Sequence, residues 1–405
     1  TYNYDGTRAT FALYRSDVKK IDTSYEYDNM SRLYKVSEKG SLEATYTYDA
    51  NGNRKTLTYS SGINSASYDY NMSNKPTHIV NMKGTNTISE YTYSYYLDGN
   101  QAKKVELGGK STEYAYYDTG SLKTEVEKLN GSSIISTTYT YDDSNNRIMM
   151  VVTGGVSTTY NYDKNNRLVS EIKVDGDNSK DTYYGYDDNG NQIYKSTGIT
   201  KPIVSGESKN ISSSVVGSDA KNTDLTLNEY DGINQLTKTT IGDKTITYTY
   251  TGEGMRSSKS VNGVATQHIW DGDQMVMELD ASGLVTNKYI RGINLLFAED
   301  STGANRKYYI YNGHGDVTQL TDTTGNVVKS YEYDAFGNEK NPNAADTNVF
   351  RYCGEYFDKE PGTIYLRARY YDPRMGRFIS EDGEWGKDKD PLSLNLYTYC
   401  WNNPI

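Results

Sequence analysis

The sequence predicts an all-β protein, an array of antiparallel β-hairpins stacked into one continuous, strongly curved sheet. Three observations carry this. First, Tyr-x-Tyr-Asp recurs about every 22 residues. It is complete at Tyr2–Asp5, Tyr25–Asp28, Tyr46–Asp49, Tyr139–Asp142, Tyr160–Asp163, Tyr184–Asp187 and Tyr331–Asp334. Looser copies stand at Tyr68–Asn71, Tyr93–Tyr95, Tyr114–Asp118, Glu229–Asp231, Tyr248–Tyr250 and His268–Asp271. Second, many copies run into a turn cluster such as Asp49-Ala50-Asn51-Gly52-Asn53. Third, the chain holds 42 Tyr but only 6 Phe, and 35% of its residues are hydrophobic. Such a chain builds apolar layers from rings with a polar tip, in a thin sheet rather than a thick core. A unit of this length cannot bury its own face and must stack on its neighbours.

One repeat shows why the elements form. In Tyr46-Thr47-Tyr48 the two rings share a face, because strand side chains alternate. β-Branched and aromatic residues dominate both arms, as a pleated, half-buried surface favours. Asp49 accepts from backbone N–H groups two residues on, and Gly and Asn tolerate positive φ. The expected result is a hairpin loop of about three to five residues with a bulge. Successive Tyr pairs are expected to fall in register and form ladders between repeats. The Asp-x-Asn-Gly-Asn loops also resemble the opening of a calcium loop, but the bidentate Glu that closes one is missing. Between Tyr186 and Tyr230 the spacing doubles, and Lys201–Gly206 and Ser212–Ser214 read as a degenerate repeat with a long exposed loop.

Charge and composition exclude several functions. The net charge is −10, the pI is near 5.0, and no basic stripe could track a phosphate backbone, so no nucleic-acid partner is expected. No apolar run approaches the ~18 residues of a transmembrane helix. The two cysteines, Cys353 and Cys400, form no metal-ligand spacing; they read as half-buried thiols or as a single bridge. The three histidines, His78, His268 and His314, are scattered and read as structural. No cofactor or metal site is expected. Thr1 already lies inside a repeat, so it is not expected to be a natural start, and any export signal lies in sequence beyond this chain.

After about residue 341 the composition shifts, dividing the chain into an array over 1–340 and a distinct segment over 341–405. Five of the 7 prolines (Pro342, Pro361, Pro373, Pro391 and Pro404) lie in this segment, and arginine becomes frequent. The text includes Arg367-Ala368-Arg369-Tyr370-Tyr371-Asp372-Pro373 and, after Arg374 and Met375, Gly376-Arg377-Phe378-Ile379-Ser380. It closes with Leu394-Asn395-Leu396-Tyr397-Thr398-Tyr399 and Asn402-Asn403-Pro404. These motifs resemble the Rhs-repeat-associated core of Rhs and YD-repeat proteins. Relatives of that family include bacterial polymorphic toxins, the C component of insecticidal toxin complexes and the animal teneurins.

The resemblance implies a sheet that spirals into a hollow shell around a C-terminal toxin domain, with the core as a plug. It implies a secreted or bacterial cell-surface protein. Its partners would be the enclosed toxin domain and an N-terminal shell or secretion-system component. In several family members the core is an aspartyl autoprotease that cuts the toxin free beyond the Asn-Asn-Pro motif. By position, Asp358 and Asp382 match the catalytic pair. In such a dyad two close carboxyls share one proton; one activates water and the other donates to the carbonyl oxygen. The family's second Asp is usually followed by Pro, whereas Gly383 follows Asp382, so Asp390 before Pro391 is a rival. The same carboxylates also read as turn and Arg-pairing residues, with Arg377 as a structural partner. Any enzymatic activity would be this intramolecular cleavage and no other.

Size sets a further expectation. About sixteen repeats give a ribbon on the order of 150 Å long, or one ring about 50 Å across and about 23 Å tall. That girdles a 100-residue domain, roughly 34 Å in diameter, but leaves the ends open. A complete shell then needs further N-terminal repeats or a lid, and its interior is expected to present hydroxyls and amides. The rival class is a cell-surface adhesion or carbohydrate-binding repeat protein that presents tyrosine rings to sugars.

Overall fold

The computed structural model describes residues 1–198 and 225–405. The doubled interval around Lys201–Ser214 lies outside the described residues. Nearly all regular structure is antiparallel β-strand, in a long sheet built hairpin by hairpin. Among the described residues the helical segments are short 3-10 turns at Ser60–Gly62, Tyr352–Gly354, Pro391–Leu394 and Cys400–Asn402.

The chain divides into two compact units. The first comprises 1–111, 268–333 and 339–354; the second comprises 112–267, 334–338 and 355–405. The segment after residue 341 therefore contributes to both.

The turns follow the expected chemistry. Asp49 N–H donates to the Asn53 carbonyl at 2.9 Å and Gly52 N–H donates back to the Asp49 carbonyl at 3.1 Å. The Asp49 carboxylate accepts from the N–H groups of Asn51 and Asn53 and from the Asn53 side-chain amide, at 2.8–3.0 Å. A bulge falls between Thr47 and Tyr48, where Tyr48 pairs with Arg54 across a five-residue loop. The fourth loop position has positive φ in these loops and is Gly in some repeats (Gly52, φ 87), Asn in others (Asn145, φ 58; Asn166, φ 60) and Ser at Ser31 (φ 56).

The tyrosine ladder has a different bond from the one expected. In many repeats the second Tyr of the pair donates its hydroxyl to a backbone carbonyl of the preceding repeat, five positions after that repeat's turn-opening residue. Tyr48 reaches Leu33, Tyr70 reaches Arg54 and Tyr95 reaches Pro76, at 2.6–2.9 Å. Tyr141, Tyr162 and Tyr250 do the same to Leu122, Arg147 and Leu236, at 2.7–2.9 Å. Ring-on-ring contact between successive repeats does occur, as at Tyr117–Tyr141 (5.9 Å). The hydroxyl hook is the recurrent feature. It explains why Tyr and not Phe fills these slots: the bulged strand leaves a carbonyl free, and only the phenol reaches it.

Within the first unit, strands from the N-terminal repeats face strands from 274–311 across a packed core. Ile21, Val36, Leu57 and Ile79 meet Met277, Leu296, Phe297 and Ile310 there. Tyr59 donates to the Tyr309 carbonyl at 2.8 Å across this layer. The expectation of a polar interior is corrected for this unit, where apolar side chains and rings meet directly. The second unit carries, besides its repeat hairpins, a separate four-stranded antiparallel sheet: Tyr356–Asp358, Thr363–Leu366, Arg369–Asp372 and Arg377–Phe378.

Candidate functional site

The four-stranded sheet belongs to the core segment, and its side chains seat on repeat turns of the same unit. Asn395 donates its amide to the Ser144 carbonyl (2.9 Å) and to the Asn146 side chain (2.7 Å). Asn402 donates to the Asn145 carbonyl (2.7 Å), and Asn145 donates back to the Trp401 carbonyl (3.2 Å). Arg377 donates to the Asn166 carbonyl and Tyr397 to the Gly190 carbonyl, at 2.6 and 2.9 Å. Three successive turns, opened by Asp142, Asp163 and Asp187, are thus each held by a core side chain. Arg377 is corrected as a partner for the candidate carboxylates. It bonds amides and carbonyls of Asn146, Asn166 and Asn395 and lies over the Tyr162 ring at 4.8 Å.

Asp358 is fully buried and ion-paired with Arg256, also fully buried, at 2.5 Å, and with Lys259 at 3.0 Å. Lys259 also pairs with Glu360. The Arg256 guanidinium lies over the rings of Tyr365 (4.4 Å) and Tyr356 (4.7 Å), and the Arg256 backbone N–H donates to the Tyr365 hydroxyl at 2.9 Å. Burial pushes the Asp358 carboxyl up, but Arg256 and Lys259 outweigh it and hold the pKa below the ordinary value. A buried charge needs such partners. Asp372 repeats the arrangement: burial raises its pKa, yet Arg374 and Lys195 bring it down to about 2.

Asp382 pairs with Arg369 at 2.6 Å, and its N–H donates to the Leu396 carbonyl at 3.1 Å. Asp390 precedes the 3-10 turn Pro391–Leu394 without capping it through its side chain. The register places Asp358 opposite Thr363, at the same end of the small sheet as the Asp372–Arg377 pair. Asp382 follows Ile379, whose N–H bonds the Tyr370 carbonyl toward the other end. Asp358 and Asp382 therefore have separate ion-pair partners. Sequence reasoning missed Arg256 and Lys259, since both stand in ordinary repeat slots.

Cys353 and Cys400 are not disulfide-bonded; Cys353 is half-buried and Cys400 exposed. Cys400 therefore departs from the half-buried reading. His78 and His268 lie near Glu90 (2.7 Å) and Glu278 (3.9 Å).

The family model of the teneurin YD-shell matches residues 150–405. The chain belongs to the teneurin YD-shell family. The YD-shell chain is 31% identical over 381 residues to a tRNA3(Ser)-specific nuclease WapA of Bacillus spizizenii, covering 89% of this chain and 16% of that relative. It is 30% identical over 381 residues to a tRNA nuclease WapA of Bacillus subtilis, with the same shares. A double-stranded DNA deaminase toxin A of Burkholderia cenocepacia is 28% identical over 163 residues, covering 34% of this chain and 11% of the relative. The chain thus spans about a sixth of the length of the WapA relatives. In fold it matches a chain of the Photorhabdus luminescens Tc holotoxin pore, with TM-score 0.61 and 17% identity, covering 98% of this chain and 21% of the other. No helix among the described residues is long and apolar enough to cross a membrane.

Proposed function

We propose that this YD-shell segment is part of a chamber that sequesters a toxin domain following it in a secreted bacterial protein, with the core segment as a plug. One observation carries the reading: core side chains grip three successive repeat turns, and a buried Arg256–Asp358 pair anchors the core sheet. A segment that only extended the array would add another hairpin by backbone pairing. This one is held crosswise by side chains, as a closure needs. The names of the nuclease and deaminase-toxin relatives support a toxic cargo, and the holotoxin match supports the shell fold. The adhesion reading is less favoured, because ladder tyrosines such as Tyr46, Tyr139 and Tyr184 are buried in the sheet and cannot meet a sugar, although Tyr14 and Tyr96 are exposed. The test is limited proteolysis of the natural full-length protein. The domain beyond the core should resist cleavage while the shell is folded and become sensitive when Asn395→Ala and Tyr397→Phe are combined. Cleavage as fast as that of the excised domain would refute sequestration.

Release by aspartyl self-cleavage beyond Ile405 is the finer step of the proposal. In that step Asp358 would pair with Asp382 or Asp390, and Asp358, fully buried between Arg256 and Lys259, would first have to gain access to water. Pairing with Asp382 requires that residue to leave Arg369. Mass spectrometry of the protein with its natural extension should find one discrete cut, abolished in Asp358→Asn and in one of Asp382→Asn and Asp390→Asn. An uncut parent would leave the core as a structural plug.

A further inference from the structure

One turn of the first unit inverts the usual chemistry. In the ordinary turn an Asp opens the loop and an Asn closes it, as in Asp49–Asn53, Asp187–Asn191 and Asp334–Asn338. In Asn312-Gly313-His314-Gly315-Asp316 the two have exchanged places. Asn312 now caps the N–H groups of His314 and Asp316 through its carbonyl oxygen, both at 3.0 Å. Its amide donates to Asp316 Oδ2 at 2.8 Å. The turn keeps every bond it needs, and the carboxylate has moved to the closing position with Oδ1 left for other use. That oxygen meets His314 Nδ1 at 3.0 Å and accepts the Cys353 N–H at 3.0 Å.

Cys353 arrives from a segment 37 residues downstream of Asp316. Its φ is 52, a left-handed backbone that a non-glycine residue rarely adopts and that often marks a functional site. This conformation sets Sγ 3.8 Å from His314 Nδ1 and 4.0 Å from Nε2. One imidazole nitrogen, one sulfur and one carboxylate oxygen lie within 4.8 Å of one another. The side chains of His314 and Asp316 are 27% and 9% exposed, so the cluster is reachable from solvent.

The arrangement differs from that of a Cys–His–Asp nucleophile. There the carboxylate orients one ring nitrogen while the thiol bonds the other, across the ring. Here the carboxylate and the sulfur both lie nearest Nδ1. Three donors converging on one small volume form a chelate. A metal at the usual ~2.0–2.3 Å from N, O and S in tetrahedral geometry requires ligand atoms roughly 3–4 Å apart. The Nδ1–Oδ1 and Sγ–Nδ1 separations meet this requirement.

We propose that His314, Asp316 and Cys353 bind one borderline-soft divalent cation, zinc by ligand chemistry, with a fourth position open to water. Coordination expels the thiol proton and the Nδ1 proton shared with Asp316 to solvent, and no electron transfer is involved. The ion would clamp the array's last turns to the start of the core segment.

The test uses the full chain, reduced and stripped with a chelator, then titrated with cobalt(II) and with zinc(II) against a chromophoric competitor. One equivalent of cobalt should bind and give a near-ultraviolet thiolate-to-cobalt charge-transfer band with intense visible ligand-field bands. Cys353→Ser should abolish that band, and it and His314→Ala should each weaken zinc binding at least ~100-fold, since even second-shell losses reach that size. Cys400→Ser should change nothing. The wild-type spectrum keeps the proposal falsifiable if a variant fails to fold: a cobalt-loaded wild-type chain without the charge-transfer band overturns it. So does zinc affinity that Cys353→Ser leaves unchanged.

Discussion

Asparagine at position 358 keeps the shape of the side chain and removes its charge. The structure sets the size of the effect. Arg256 and Asp358 both have side chains with 0% exposure, so no water can replace the lost carboxylate. Lys259 retains Glu360, whereas the Arg256 guanidinium loses the carboxylate that it holds at 2.5 Å. Breaking a buried pair from one side costs about 3–5 kcal/mol, because the remaining charge is stranded. For a domain of roughly 150–250 residues this lowers the melting temperature by about 6–20 °C. Asp382→Asn is the control. Its side chain is 34% exposed and that of Arg369 17%, so losing that pair is worth at most about 1 kcal/mol. The assay is differential scanning calorimetry with hydrogen exchange on Tyr356–Leu366, which assigns the loss to the core sheet. The double variant Arg256→Met with Asp358→Leu should recover most of the loss, since an apolar pair of similar volume often replaces a buried ion pair at no cost. A loss below about 1 kcal/mol for Asp358→Asn, or a double variant no better than the single one, would refute the argument that Arg256 depends on this carboxylate.

Acid should loosen the second unit. The folded pKa of Asp372, about 2, lies below its unfolded value, so its stabilisation is complete above about pH 4 and is lost as the pH falls toward 2, on the order of 2–3 kcal/mol. Asp358 acts in the same direction; calorimetry between pH 5 and pH 2 should show the loss, and Asp372→Asn should flatten it. Removing one hydroxyl hook with Tyr162→Phe strands the Arg147 carbonyl, which accepts that hydroxyl at 2.8 Å. The expected cost is about 1 kcal/mol by chemical denaturation, and a neutral result would mean the ring alone holds the register.

The sequence by itself determined the repeat. Asp49 and Asn53 bond within five residues of each other, and Gly52 or its counterpart Asn145 meets a positive φ set by the loop, so the turn chemistry is legible in one line of text. The pairing of Tyr with Asp was legible too, although the use of the second hydroxyl was not: the carbonyl it reaches belongs to another repeat and is freed only by the bulge. The core motifs announced a distinct C-terminal segment, but not which turns Asn395, Tyr397 and Asn402 would hold. Tertiary structure alone chose Arg256, which stands five positions after Thr251 in the same slot that Leu33 and Leu236 fill in other repeats. It also brought Cys353 to His314 and Asp316. Local hydrogen bonds are encoded where they are made; contacts between residues a hundred positions apart depend on how the hairpins stack, which a periodic sequence states almost identically at every repeat.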